Sequence, residues 1–178
     1  MKHLLKGVNL YLIGMMGAGK STIGQLLATQ LGYRFFDTDT LIEQVTQKSI
    51  NEIFANIGEE AFRQLETQVL AEISAYHHCV VATGGGIVTQ QMNWSYLHQG
   101  IVLWLDVPVE QLYLRLQGDL TRPLLRDPDP QAKLQTLLQQ RKSLYAQADV
   151  HLEVRREETP EELTPRAIEE IAKILKSQ

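Results

Sequence analysis

The sequence predicts an α/β fold built on a mostly parallel sheet with helices on both faces, and three observations support this. Apolar runs of strand length alternate with stretches of helical spacing along the whole chain, which is the pattern of strands joined by helical crossovers. A glycine-rich turn closing on Lys20-Ser21 links the first run to the first helix. The polar and glycine clusters follow the first three runs, where ligands of open α/β sheets bind beyond the carboxyl ends of the strands.

Each element has its own signal. "VNLYLIG" near residue 10 reads as the first strand. Ser21 to Leu31 follows as a helix with Ile23, Leu26, Leu27 and Leu31 on one face. "YRFFD" near residue 35 is the second strand, and residues 39–48 form a short helix. "SINE" (Ser49 to Glu52) is a capping box opening another helix. Residues 59–77 make a longer one, with Phe62, Leu65, Val69, Leu70 and Ile73 inward. "CVVATGG" and "GIVLWLD" supply the third and fourth strands, and "VHLEV" near residue 152 a short fifth. Helices fit Val109 to Leu116, Gln131 to Tyr145 and Pro160 to Lys176. Residues 117–131, with Gly118, three prolines and two arginines, read as an excursion from the core rather than a linker, because the sheet pattern resumes after them.

A chain of 178 residues is most simply one domain, spanning 1–178. Its net charge of −4, with no Lys/Arg-rich block, gives nucleic-acid binding no support. The lone Cys79 excludes an internal disulfide and suits a reducing compartment, and its place in an apolar run marks it as a buried strand residue. The N-terminus has a basic start followed by apolar residues, as signal peptides do. Lys6, Gly7 and Asn9 interrupt the run, however, and cleavage would fall in the glycine turn. With no apolar stretch of membrane-spanning length, the expectation is a cytoplasmic protein with no membrane partner.

Gly14-x-x-x-x-Gly19-Lys20-Ser21 has Walker A spacing between a strand and a helix. Glycines let successive backbone N–H groups point at one phosphate, and the helix start adds the positive end of its dipole. Gly17, Ala18, Gly19, Lys20, Ser21 and Thr22 are the candidate nucleotide contacts, with Lys20 reaching the β- and γ-phosphates and Ser21 ligating Mg²⁺. No "NKxD" guanine-reading sequence exists, so a GTPase is disfavoured and a small-molecule phosphotransferase is the economical reading.

The acceptor side is less explicit. Alternation at the end of the second strand places Asp37 and Asp39 on one side, although either could instead cap the following helix. Asp37 is favoured for the Mg²⁺ shell over Asp106, whose strand "IVLWLD" also resembles a Walker B strand but suits a structural turn. Arg63 has Glu66 one turn on, which by itself reads as an exposed ion pair. Gly84, Gly85 and Gly86 permit close approach to a small ligand, or are simply a flexible turn. Arg141 alone reads as a surface charge, and Arg122 suits a lid over ATP.

Taken in order, "GMMGAGKST", "DTD", "SINEIFANIGEEAFRQLE", "ATGGGIV", "LTRPLL" and "QRKSLYAQAD" resemble the shikimate kinase family over nearly the whole chain. The resemblance implies a fold like that of the nucleoside monophosphate kinases: a five-stranded parallel sheet between helical layers, an acceptor-binding segment at about 37–65 and a lid at about 117–131. It implies transfer of the γ-phosphoryl of ATP, with Mg²⁺, to the 3-hydroxyl of shikimate in the pathway to chorismate and the aromatic amino acids. A monomer is expected. Carried over by motif, Asp39, Arg63, Gly85, Gly86 and Arg141 hold shikimate, the arginines on its carboxylate. Asp39 receives the attacking hydroxyl's hydrogen bond, Lys20 and Arg122 stabilise the moving phosphoryl group, and Ser21 and Asp37 organise Mg²⁺. The segment "RREETP" departs from the family pattern beside adenine, which leaves Arg115 as the better base-packing candidate. Two other readings remain: another small-acceptor kinase, for gluconate or a nucleotide, and a regulatory module that binds nucleotide without transferring phosphate.

Overall fold

The structure is a computed structural model and describes residues 4–119 and 126–176. In chain order it contains β1 (Leu10–Ile13), α1 (Lys20–Leu31), β2 (Arg34–Asp37), α2 (Thr38–Thr46), α3 (Ile50–Ser74) and β3 (Cys79–Ala82). A 3-10 turn (Ile87–Thr89), α4 (Gln91–Leu97), β4 (Ile101–Asp106), α5 (Val109–Leu116), α6 (Pro130–Tyr145), β5 (Val150–Glu153) and α7 (Pro160–Lys176) complete it. All five strands pair in parallel in the order β2-β3-β1-β4-β5.

The burial of each strand follows from its place in that order. β1 and β3 lie inside the sheet, are apolar throughout and are buried throughout, as strands covered on both faces must be. Edge strand β5 alternates buried and exposed residues. Cys79 is wholly buried in β3, as its apolar surroundings indicate. Right-handed crossovers put α1 on one face, where it packs with α7, and send the other connections behind the sheet, where α3 meets α4 and α5 meets α6.

That winding positions the site. Chain leaves β1 and its neighbour β3 toward opposite faces, which opens a crevice between the two following loops. Those loops are the glycine turn at 14–19 and the triple glycine at 84–86. They touch: a Cβ built on Gly85 would lie 3.2 Å from the Met16 nitrogen.

The capping box opens α3, with the Ser49 hydroxyl accepting from the Glu52 N–H and the Glu52 carboxylate from the Ser49 N–H. Gly58 (φ 82°, ψ 174°) breaks the helix where the sequence separates two helical stretches. The second stretch ends at Ser74, earlier than the 59–77 expected. The 3-10 turn and α4 are additions to the sequence reading; α4 is seven residues long and has no side-chain cap to announce it. Among the described residues, no helix is long and apolar enough to cross a membrane.

Candidate active site

The phosphate loop runs from the end of β1 into α1, whose N-cap Gly19 is left-handed (φ 91°, ψ 18°). Lys20, only 8% exposed, donates to the carbonyls of Gly14 (2.7 Å) and Met15 (2.8 Å), which folds its ammonium back across the loop. Arg115 of α5 donates to the carbonyls of Gly17 and Ala18, both at 3.2 Å, and so closes the outer side of the loop. Beside it lies a cleft of about 270 Å³ lined by Gly19, Thr22, Arg115, Glu158, Pro160 and Leu163. Both oxygens of Glu158 accept from Arg166 at 2.8 and 2.7 Å, and Oε2 also accepts from the Arg155 N–H at 2.9 Å. The "RREETP" segment is therefore held in place as one wall of this cleft.

The two aspartates do not sit together at a strand end, as alternation suggested. Asp37 ends β2 and caps α2, accepting from the N–H groups of Asp39 (3.0 Å) and Thr40 (3.2 Å), while Asp39 lies in the first turn of that helix. The helix start, not the pleat of the strand, therefore sets their directions. The other Asp37 oxygen accepts a hydrogen bond from the Ser21 hydroxyl. A serine and a carboxylate joined at the mouth of a phosphate loop are hard oxygen donors of the kind Mg²⁺ takes. Asp106 instead pairs with His151 of β5 at 2.8 Å.

Asp39 turns toward the triple glycine, where a Cβ on Gly84 would fall 3.1 Å from its Oδ1 and 2.5 Å from Glu66 Oε1. A Cβ on Gly86 would lie 2.4 Å from the Arg63 guanidinium. Here the glycines are required by close approach of functional side chains, not by turn flexibility. The Thr38 hydroxyl, wholly buried, accepts from the Gly84 N–H at 3.1 Å and fixes the turn. Arg141 of α6 reaches the same place, its Nη1 being 3.7 Å from where a Gly85 Cβ would stand.

Arg63 does pair with Glu66, at 2.6 Å, but the pair is not the exposed one that its spacing alone suggests. Glu66 is 0% exposed, and its Oε1 is buried without a hydrogen-bond partner among the described residues. Burial pushes the Glu66 carboxyl up, with Arg63 opposing and the nearby Asp39 charge adding to the rise. Arg63 also meets Glu59 at 3.2 Å and lies over the Phe62 ring, 5.3 Å from its centroid. Glu66 and Thr38 are site residues that sequence reasoning missed. Glu66 had left a trace: a carboxylate on the stripe formed by Phe62, Val69, Leu70 and Ile73.

The structure thus brings Asp39, Arg63, Gly84, Gly85, Gly86 and Arg141 into one cluster, next to the loop that carries Lys20 and Ser21 and the Asp37 cap. Arg122 lies outside the described residues, as does the centre of the 117–131 segment.

A phosphate loop facing two arginines gathered over a triple glycine, across the switch point of a parallel sheet, defines a P-loop kinase of the small-acceptor class. A sequence model of the shikimate kinase family matches residues 16–172. A shikimate kinase from Nostoc sp. is 60% identical over 99% of this chain and 97% of its own length. A solved shikimate kinase from Acinetobacter baumannii, in complex with shikimate, superposes with a TM-score of 0.90 at 39% identity, covering 99% of this chain and 98% of that one. A gluconokinase from Sinorhizobium meliloti reaches a TM-score of 0.62 at 18% identity over 96% and 95% of the two chains, a likeness of fold alone. The chain belongs to the shikimate kinase family.

Proposed function

We propose that this chain transfers the γ-phosphoryl group of ATP to the 3-hydroxyl of shikimate, giving shikimate 3-phosphate and ADP, one step toward chorismate and the aromatic amino acids. The observation that carries this reading is the cluster opposite the phosphate loop, where Arg63 and Arg141 reach the triple glycine, 2.4 Å and 3.7 Å from where the Cβ atoms of Gly86 and Gly85 would stand. A guanidinium grips a carboxylate through parallel hydrogen bonds, so two of them select a compact acid.

The site residues take the following roles. Arg63 and Arg141 hold the acceptor carboxylate, and Gly84, Gly85 and Gly86 let the ring approach the backbone. Asp39 accepts the hydrogen bond of the attacking hydroxyl and takes its proton as the new P–O bond forms and the bond to ADP breaks. Gly17, Ala18, Gly19 and Thr22 surround the phosphates with backbone and hydroxyl groups. Lys20 exchanges its loop carbonyls for the β- and γ-phosphates and stabilises charge on the moving group. Ser21 and Asp37 hold Mg²⁺, which neutralises phosphate charge when bound. Arg115 packs against the base in the cleft it lines. Arg122, carried over by its motif, stabilises charge on the moving phosphoryl group beside Lys20, and a lid at about 117–131 shields the reacting phosphate from water; both rest on the sequence alone. A cytoplasmic monomer with one domain, its acceptor segment at about 37–65, completes the proposal.

The test is an acceptor panel with labelled ATP, in which shikimate, gluconate and nucleoside monophosphates compete. Label transfer to shikimate alone is expected. Preferential labelling of gluconate or a nucleotide would move the chain to another acceptor, and no transfer to any would favour the regulatory module.

A further inference from the structure

Tyr145 has no part in the roles given above, yet it is 0% exposed and sits beside the acceptor pocket. Its ring stacks on Trp104, with centroids 5.7 Å apart and planes 23° from parallel. Packing needs only that ring. The hydroxyl is a separate matter, because a buried hydroxyl is unfavourable unless it is paired. It donates a 2.6 Å hydrogen bond to the Gly85 carbonyl, with the Met15 sulfur 3.6 Å away. Tyr145 also follows Arg141 by four residues on α6, so the two side chains leave the same face. Burial pushes the Tyr145 phenol up, and the positive charge of Arg141 draws it partly back. The Arg141 Nη1 stands 3.7 Å from where a Gly85 Cβ would lie, so guanidinium and phenol meet at the same glycine. The phenol is a donor to the Gly85 carbonyl.

We infer that Tyr145 is a positioning residue of the acceptor site: its hydroxyl ties α6 to the Gly85 carbonyl one helical turn from Arg141 and so sets where that guanidinium stands over the triple glycine. This rests on the acceptor reading above. The phenol touches no substrate atom itself. It acts by fixing two groups that do, one on α6 and one in the loop after β3.

Tyr145→Phe removes the hydroxyl while keeping the ring stacked on Trp104, so the folded variant can be compared directly with the parent. Steady-state kinetics with shikimate and ATP varied independently should show shikimate KM raised roughly tenfold, the scale of one hydrogen bond lost. ATP KM and kcat should stay within about twofold, as loss of uniform acceptor binding requires. Calorimetric titration of shikimate into Tyr145→Phe, Arg141→Ala and the double variant gives the second reading. If the hydroxyl acts through Arg141, the Phe change adds little once Arg141 is gone. Equal rises in both KM values, an unchanged shikimate KM, or additive effects in the double variant would each overturn the inference. A parent protein that never phosphorylates shikimate sinks the functional reading; an active parent with an indifferent Tyr145→Phe sinks only this one.

Discussion

Neutralising Asp37 and neutralising Asp39 should break different halves of the reaction, because the two carboxylates face different partners. Asp37 accepts from the Ser21 hydroxyl and caps α2, and asparagine preserves a cap. Asp37→Asn should therefore fold normally, lose nucleotide use most, and recover in part as Mg²⁺ is raised. Asp39 lies against Gly84, in the acceptor site proposed above. Asp39→Asn should lose turnover on the order of 10²–10⁴-fold, the range of a positioned base, and added Mg²⁺ should not restore it. Kinetics across a Mg²⁺ series decide the matter, and identical magnesium responses would refute the division. At this scale the sequence showed which residue types were present but not how they were paired. "DTD" was legible as a ligand-side cluster, while the buried Thr38 between its aspartates was not, since its partner is the Gly84 N–H, 46 residues away. Arg63–Glu66 was legible as a pair, but its burial depends on the triple glycine packing against it.

Among the elements, the wall between β5 and α7 shows how a loop is made rigid without a core of its own. The Glu158–Arg166 fork and the bond from Arg166 to the Glu153 carbonyl (2.6 Å) tie the end of β5 to the first turns of α7. The hydrogen bonds from Arg166 hold the Glu158 carboxyl below its ordinary range against the opposing effect of burial. A carboxylate lowered in the folded state contributes stability that is complete above its unfolded pKa and lost as pH falls through the lowered folded value. Arg166→Ala should thus cost about 2 kcal/mol near neutral pH, the scale of hydrogen bonds to a charged group. Its difference from the parent should shrink in acid below the ordinary glutamate range. Thermal melts at pH 7 and in that acid range provide the measurement; a constant difference would mean that packing, not charge, accounts for the loss. Element identity was otherwise well marked in the sequence. The capping box marked the start of α3, the 59–77 stripe marked its second half, and apolar runs located all five strands. Helix α4 escaped because seven residues with Trp94 and Leu97 buried give too short a period to recognise.

At the scale of the whole molecule, the site exists only where the winding changes direction, and no local segment contains it. β1 pairs with β3 through contacts such as Leu10 with Val80, about seventy residues apart, which the apolar pattern of either run cannot specify. The order β2-β3-β1-β4-β5 then sets the phosphate loop against the triple glycine, while α2, α3 and α6 deliver Asp39, Arg63 and Arg141 to the same crevice. A ligand bound there joins segments scattered along most of the chain. It binds the folded state alone, so its binding free energy adds to stability by mass action. Shikimate at about 100 times its Kd should add about 2.7 kcal/mol. For a chain of this size roughly 2–4 °C accompanies each kcal/mol, so the melting temperature should rise by about 5–10 °C. Arg63→Ala should lose most of that rise at the same shikimate concentration, because the carboxylate loses one of its two guanidinium partners. The rise produced by a non-hydrolysable ATP analogue with Mg²⁺ should survive, since the phosphate loop and the Arg115 cleft do not include Arg63. Melting curves of parent and variant with each ligand separately make the comparison. Retention of the shikimate shift together with loss of the nucleotide shift would place Arg63 on the nucleotide side of the crevice and overturn the assignment of the two pockets.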